Sequence, residues 1–251
     1  MKNNHLLEYT LHLADNALII GHRNSEWCGH GPVLEQDIAI TNIALDHIGQ
    51  ARHFYQYASQ LIGNGTTEDT LAYLRTEREF RNCLLVEQPN GDWAHTILRQ
   101  FLFSNYQSVL YSGLMNSNDE QIAAICNKGL KEVTYHLRWS SEWVIRLGDG
   151  TDESHLRMED AISRLWPYTG ELFIPSDFED FACKNNTGVD LAALKQPWEN
   201  KVREIFDEAG LNIPHPGFSQ SGGKQGLHTE YMGYILAEHQ YMQRTYPQSQ
   251  W

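Results

Sequence analysis

Residues 33–61, VLEQDIAITNIALDHIGQARHFYQYASQL, carry two apolar stripes at helical spacing. Leu34, Ile38, Leu45 and Ile48 form one, and Ile40, Ile43, Ala44, Ala51 and Phe54 form the other. Recurrence every three or four residues gathers side chains on one face of a helix, whereas a strand would alternate every second residue. Two apolar faces on one helix predict a central element with apolar neighbours on both sides. Gly63-Asn64-Gly65 ends the run, because glycine and asparagine adopt the turn conformations that stop a helix.

Working outward, the same period fills most of the chain. Upstream, a helix is expected from about Leu6 towards Glu26, ending near Gly29 to Pro32. Downstream, short helical pieces between Thr67 and Glu87 are cut by Pro89-Asn90-Gly91, and Asp92 then offers an N-cap to a long helix over Trp93 to Met115. Another long helix is expected from near Asn118 to Leu147, closed by Gly148-Asp149-Gly150, and a further one runs from Thr151 or Asp152 through about Gly170. Pro175 to Pro197 reads as irregular, Trp198 to Ala209 as helix, and Leu211 to Gly226 as a loop rich in Gly, Pro and Ser. The last helix is expected from Leu227 to about Tyr246. No alternating run is bounded by hairpin turns. The expected fold is all-α, a four-helix bundle with additional short helices, and residues 1–251 are expected to form a single domain.

Composition narrows the function classes. A formal net charge of -13 repels phosphate backbones, so no nucleic-acid partner is expected. The richest apolar stretch, Leu11 to Ile20, contains His12, Asp15 and Asn16, well short of the roughly 20 clean apolar residues of a membrane span. Met1-Lys2-Asn3-Asn4-His5 shows no secretory signal, which makes the cytoplasm the expected compartment. Cys28, Cys83, Cys126 and Cys183 are far apart and form no C-x-x-C, so buried free thiols are expected rather than a zinc or redox site. Neither a G-x-S-x-G nor a Cys/His pairing supports nucleophilic catalysis. Asp37 and Asp46 read as solvated or paired with Arg52.

Twelve histidines raise the question of metal. A carboxylate-bridged di-iron bundle needs a Glu or Asp from each of two helices and a Glu-x-x-His from each of the other two, since residues three apart reach the same metal pair. No such pair is present. Glu132 and His136 are four apart, with Val133 three before His136, on a face shared with Ile122, Cys126, Leu130 and Val144.

Several blocks together resemble the C-subunit family of the phenylacetyl-CoA ring epoxidases. They are Ser25-Glu26-Trp27-Cys28-Gly29-His30, Leu45-Asp46-His47-Ile48-Gly49-Gln50-Ala51-Arg52, Leu84-Leu85-Val86-Glu87-Gln88-Pro89-Asn90-Gly91, Lys131-Glu132-Val133-Thr134-Tyr135-His136-Leu137-Arg138 and Gly222-Gly223-Lys224-Gln225-Gly226-Leu227-His228-Thr229-Glu230, with Gln250-Trp251 at the end. The resemblance implies a ferritin-like fold shared with a homologous catalytic subunit, whose di-iron centre activates O2 to epoxidise the ring of phenylacetyl-CoA. It implies that this chain has no catalytic residue and no cofactor of its own, and that it meets phenylacetyl-CoA only through the complex with that subunit and the other epoxidase components. By similarity to the catalytic subunit's ligand pattern, Glu26, His47, Gln50, Asn105, Val133 and His136 fall at relic di-iron positions. Only Glu26 and His136 retain the ligand type, and one Glu with one or two His cannot balance the charge of two irons.

Two other readings stand beside this one. The chain is either a di-iron oxygenase with unusual ligands or an acyl-CoA-binding helical module. The loop with Gly222, Gly223 and Lys224 ahead of a helix is a possible anion or partner site, although it lacks the spacing of a P-loop.

Overall fold

A computed structural model describes residues 2–215, 217–247 and 249; Gln250 and Trp251, part of the resemblance, lie outside them. Ten α-helices and four short 3-10 turns, with no strand, occur among the described residues. The helices are α1 (Lys2–Ser25), α2 (Leu34–Ile62), α3 (Glu68–Tyr73), α4 (Leu84–Glu87), α5 (Trp93–Leu114), α6 (Glu120–Gly148), α7 (Asp152–Leu165), α8 (Asp177–Lys184), α9 (Leu191–Glu208) and α10 (Glu230–Thr245). The all-α expectation holds. The chain gathers into two compact units, the first Met1–Glu87 with Gly222–Trp251 and the second Gln88–Ser221.

In the first unit α1 packs on α2. A Cβ at Gly21 would lie 3.2 Å from the His47 Cβ and 3.3 Å from the Ala44 carbonyl oxygen, so glycine lets the two backbones approach. Ile40, Ile43, Ala44, Ala51 and Phe54 are buried on the inner face of α2. Of the other stripe, Ile48 is half-buried, its Cγ1 3.2 Å from a Cβ built at Gly21, but Leu34 is 71% exposed, Ile38 51% and Leu45 60%, which corrects the expectation of apolar neighbours on both sides. Period identifies the faces of a helix but not what covers each of them. Gly63 stops α2 in the left-handed conformation at φ 72°, as its glycine predicts.

The second unit is built on well-capped helices. Asp92 accepts from the His95 N–H at 3.0 Å to open α5, Asp119 accepts from Gln121 and Ile122 at the start of α6, and Thr151 accepts from Ser154 to open α7. Several boundaries differ from expectation, among them the start of α10 at Glu230 rather than Leu227. Residues 175–197 hold α8, opened by a Ser176/Glu179 capping box, and the first turns of α9, opened by Asp190 accepting from the Ala192 N–H. Pro197 lies inside α9, where it removes a single N–H from the helical ladder and does not end the helix. α7 stops at Leu165 because Pro167 follows, and the chain continues in 3-10 turns over Trp166–Tyr168 and Gly170–Phe173.

Cys83 and Cys126 are buried as expected, but Cys28 is exposed and Cys183 half-buried; all four are free thiols. Burial pushes the Cys126 thiol well above its usual pKa and makes it inert. Asp37 accepts from the Gly29 and Gly31 N–H groups at 2.9 and 3.2 Å. Arg52 pairs with Glu68 at 3.5 Å, so of the two alternatives expected for Asp37 and Asp46 the pairing with Arg52 does not hold.

Candidate functional site

Glu26, His47 and Gln50 lie in the first unit. Glu26 follows the end of α1, its side chain is 38% exposed, and its carboxylate accepts from Arg23 Nη1 at 2.8 Å. Its charge is therefore already matched by a guanidinium at the surface. His47 is fully buried and Gln50 3% exposed, both on the inner face of α2.

Asn105, Val133 and His136 lie in the second unit. Asn105 Nδ2 donates to the Trp198 carbonyl at 2.9 Å, and Trp198 Nε1 donates to the Leu102 carbonyl at 3.0 Å, so the amide joins α5 to α9. Val133 is fully buried on α6 beside the equally buried Ile122, Cys126 and Val144. His136 is buried, its ring edge-on to Tyr135 at 6.3 Å, and its carbonyl accepts from Ser140 Oγ at 2.7 Å.

These six positions supply one exposed carboxylate, two imidazoles, two amides and an isopropyl group. A two-iron cluster needs several anionic oxygens, because hard cations hold carboxylate and the cluster's charge must be balanced. The residues present do not fit that group. Among the described residues no set of three or more His, Cys, Asp or Glu side chains is arranged to hold a metal ion.

The most developed polar cluster in the first unit is one that no local sequence pattern marks. The Glu87 carboxylate, with no exposed side-chain surface, accepts from Thr229 N at 2.6 Å, Thr229 Oγ1 at 2.7 Å, His228 Nδ1 at 2.8 Å and Asn82 Nδ2 at 2.9 Å. Its backbone carbonyl accepts from Arg23 Nε and Nη2 at 3.1 and 2.9 Å. Burial alone would lower the His228 pKa, but the hydrogen bond to Glu87 and its charge outweigh that and hold the imidazole above its ordinary 6.5. The arrangement binds the segment before α10 to α4 and α1, and all of the named donors are directed at protein atoms. A second cluster does likewise: Asp15 accepts from Tyr55 Oη at 2.5 Å, from the Arg81 N–H at 2.8 Å and from the Arg75 guanidinium. Burial, and then the Asp15 charge, raises the Tyr55 hydroxyl well above its usual value.

The loop carrying Gly222, Gly223 and Lys224 folds inward. Lys224 is 2% exposed, and a Cβ at Gly223 would strike the Asn82 carbonyl oxygen. Residues 223–225 form one 3-10 turn between Gly222 at φ 135° and Gly226 at φ 76°, backbone that favours glycine. No ammonium is presented to the surrounding water there.

The family model for phenylacetic acid catabolic protein matches residues 1–251. The chain belongs to that family. It is 49% identical over 248 residues to the C subunit of 1,2-phenylacetyl-CoA epoxidase from Escherichia coli (strain K12), a match covering 99% of this chain and 100% of that protein. The family's fold is ferritin-like and all-α, as the resemblance implied. Among the described residues no helix is long and apolar enough to cross a membrane.

Proposed function

We propose that this chain is the structural, non-catalytic subunit of a multicomponent phenylacetyl-CoA 1,2-epoxidase in aerobic phenylacetate catabolism. It pairs with a homologous di-iron catalytic subunit, stabilises it, and meets phenylacetyl-CoA only through the complex, in the cytoplasm. Full-length similarity to a relative named as the C subunit of such an epoxidase supports membership of an assembly of that kind. The observation that carries the non-catalytic reading is the donor set: Val133 and Asn105 occupy positions where ligands are needed, and the Glu26 carboxylate is committed to Arg23. The chain is taken to act as one domain over residues 1–251, since the first unit is completed only when residues 222–251 return to residues 1–87.

The test is co-expression with its genomic neighbours, followed by iron analysis of each separated component. Iron is expected in the catalytic partner and none in this chain. Stoichiometric iron here, with the absorption of a bridged centre, overturns the reading in favour of an oxygenase with unusual ligands. Saturable calorimetric binding of phenylacetyl-CoA to the isolated chain favours the acyl-CoA module instead. Replacing His136 by Ala is expected to cost about 1–3 kcal/mol of stability, measured by urea unfolding, while turnover of the reconstituted complex follows the folded fraction. A collapse of turnover in a fully folded complex contradicts a scaffold role.

A further inference from the structure

Two histidines from opposite ends of the chain meet inside the first unit. His22 lies in the last turn of α1 and His239 within α10, and their ring centroids are 4.0 Å apart with the planes tilted by 59°. The His239 ring also packs on Tyr73 at 4.5 Å, tilted 32°, which limits its movement. The Ala72 backbone offers that ring one acceptor, yet its Nε2 is buried with no hydrogen-bond partner among the described residues. Buried polar atoms nearly always have a partner, so an orphaned ring nitrogen beside a second imidazole calls for an explanation.

The chemistry of the pair selects a ligand. Burial lowers His22 to about 4, and burial followed by the His22 charge lowers His239 to about 3, so both rings are neutral at ordinary pH. Neutral imidazole is the form that binds metal. Two protons on the pair repel one another, whereas one metal ion bonds to both rings at once. Nitrogen donors suit late first-row ions such as nickel, copper and zinc, while magnesium and calcium take oxygen. With metal–nitrogen bonds of about 2.1 Å, two imidazoles at a right angle on one ion have ring centres about 4.6 Å apart, so this pair needs to open by only roughly 0.6 Å. Asp69, whose charge after burial raises the Tyr73 hydroxyl, places a carboxylate near the neighbouring ring, and the net charge of -13 favours cations throughout. We propose that His22 and His239 form a two-imidazole site for one late first-row divalent metal ion, completed by water, that fastens α10 to α1. The site is separate from the six relic positions, and its ion is held by nitrogen without a bridging carboxylate. It stands apart from the proposed function, whose iron assay is read independently.

The test uses the purified full chain, free of any affinity tag and stripped with a chelator. Calorimetric titration with NiCl2 should show one saturable site with Kd in the range of about 1–100 μM. His22→Phe and His239→Phe keep ring packing and should each weaken binding about tenfold or more, whereas His155→Ala in the second unit should leave it unchanged. At a hundredfold excess over Kd, NiCl2 should raise the melting temperature of the parent chain by about 5 °C or more, and MgCl2 should not. Hydrogen exchange of the parent chain needs no variant and decides the matter if the Phe variants do not fold: NiCl2 should slow the amides of α10 and spare those of α7. No saturable binding up to about 1 mM NiCl2, equal binding by the parent and both Phe variants, or protection that leaves α10 unchanged overturns the proposal.

Discussion

The two units handle buried charge differently. In the first, charged side chains join segments far apart in sequence: Arg75 reaches Asp15 across 60 residues, Arg23 reaches the Glu87 carbonyl across 64, and His228 reaches the Glu87 carboxylate across 141. In the second, Arg99 bonds to Gln88 and Asn90, 11 and 9 residues away, and Glu179 closes a turn on Ser176 three residues back. Its buried long-range link from Asn105 to Trp198, 93 residues on, is neutral, and the ionic link from Arg157 to Asp92, 65 residues apart, lies at the surface. Buried ions are costly unless fully partnered, so their use in the first unit points to a need for fixed registration. Chain segments that cannot be aligned by local turns are aligned there by charged groups whose several partners come from different parts of the chain.

The comparison breaks most severely at Glu87. Glu87→Ala strands His228, Thr229 and Asn82 in the interior and should cost about 3–5 kcal/mol, read as a lower urea midpoint, with α10 exchanging its amide hydrogens first. The neutral link is expected to matter less: Asn105→Ala should cost about 1–3 kcal/mol in the same measurement. If both substitutions cost the same, charge is not what distinguishes the units.

Acid sharpens the contrast. His22 and His239 of the first unit lie with ring centroids 4.0 Å apart, their planes tilted 59° to one another. Burial lowers His22 to about 4, and burial followed by the His22 charge lowers His239 to about 3, from an ordinary 6.5. The unfolded chain therefore takes up these protons first, so the stability they confer is present above pH 6.5 and lost as pH falls towards 4 and then 3. His228 runs the other way, its contribution being present below 6.5 and lost as pH rises through its elevated folded value. Urea midpoints measured down the acid limb should fall in the parent chain and fall less in a His22→Phe, His239→Phe variant. The smallest effect expected is at the α8 cap, where Ser176→Ala should cost about 0.5–2 kcal/mol, seen as local amide exchange of residues 177–184.

The helices of the fold are legible because their signals are local. Asp92 and Thr151 cap where their residue types predict, and Gly63 stops α2 with the expected left-handed turn. α8 has an equally local signal in Ser176-Asp177-Phe178-Glu179, a capping box that the flanking prolines obscure because they suggest irregular chain. Pro197 misleads for a related reason, since one absent N–H does not outweigh the buried contacts of Leu191, Trp198 and Val202 on the same helix. The candidate site divides the same way. Val133 in place of a carboxylate is visible in a four-residue window, whereas nothing near Glu87 announces a histidine 141 positions later.

The distance along the chain from Glu87 to His228 also matters during synthesis. At roughly 5–20 residues per second, His228 leaves the ribosome some 7–30 s after Glu87, and until then the glutamate lacks the imidazole and threonine that enclose it. The intervening segment 88–221 is contiguous and gathers into a compact unit of its own, so its helices can begin to pack while the first unit waits for its last residues. A nascent chain thus carries a folding neighbour behind an open N-terminal third, and that third is where chaperones and proteases would find their first purchase.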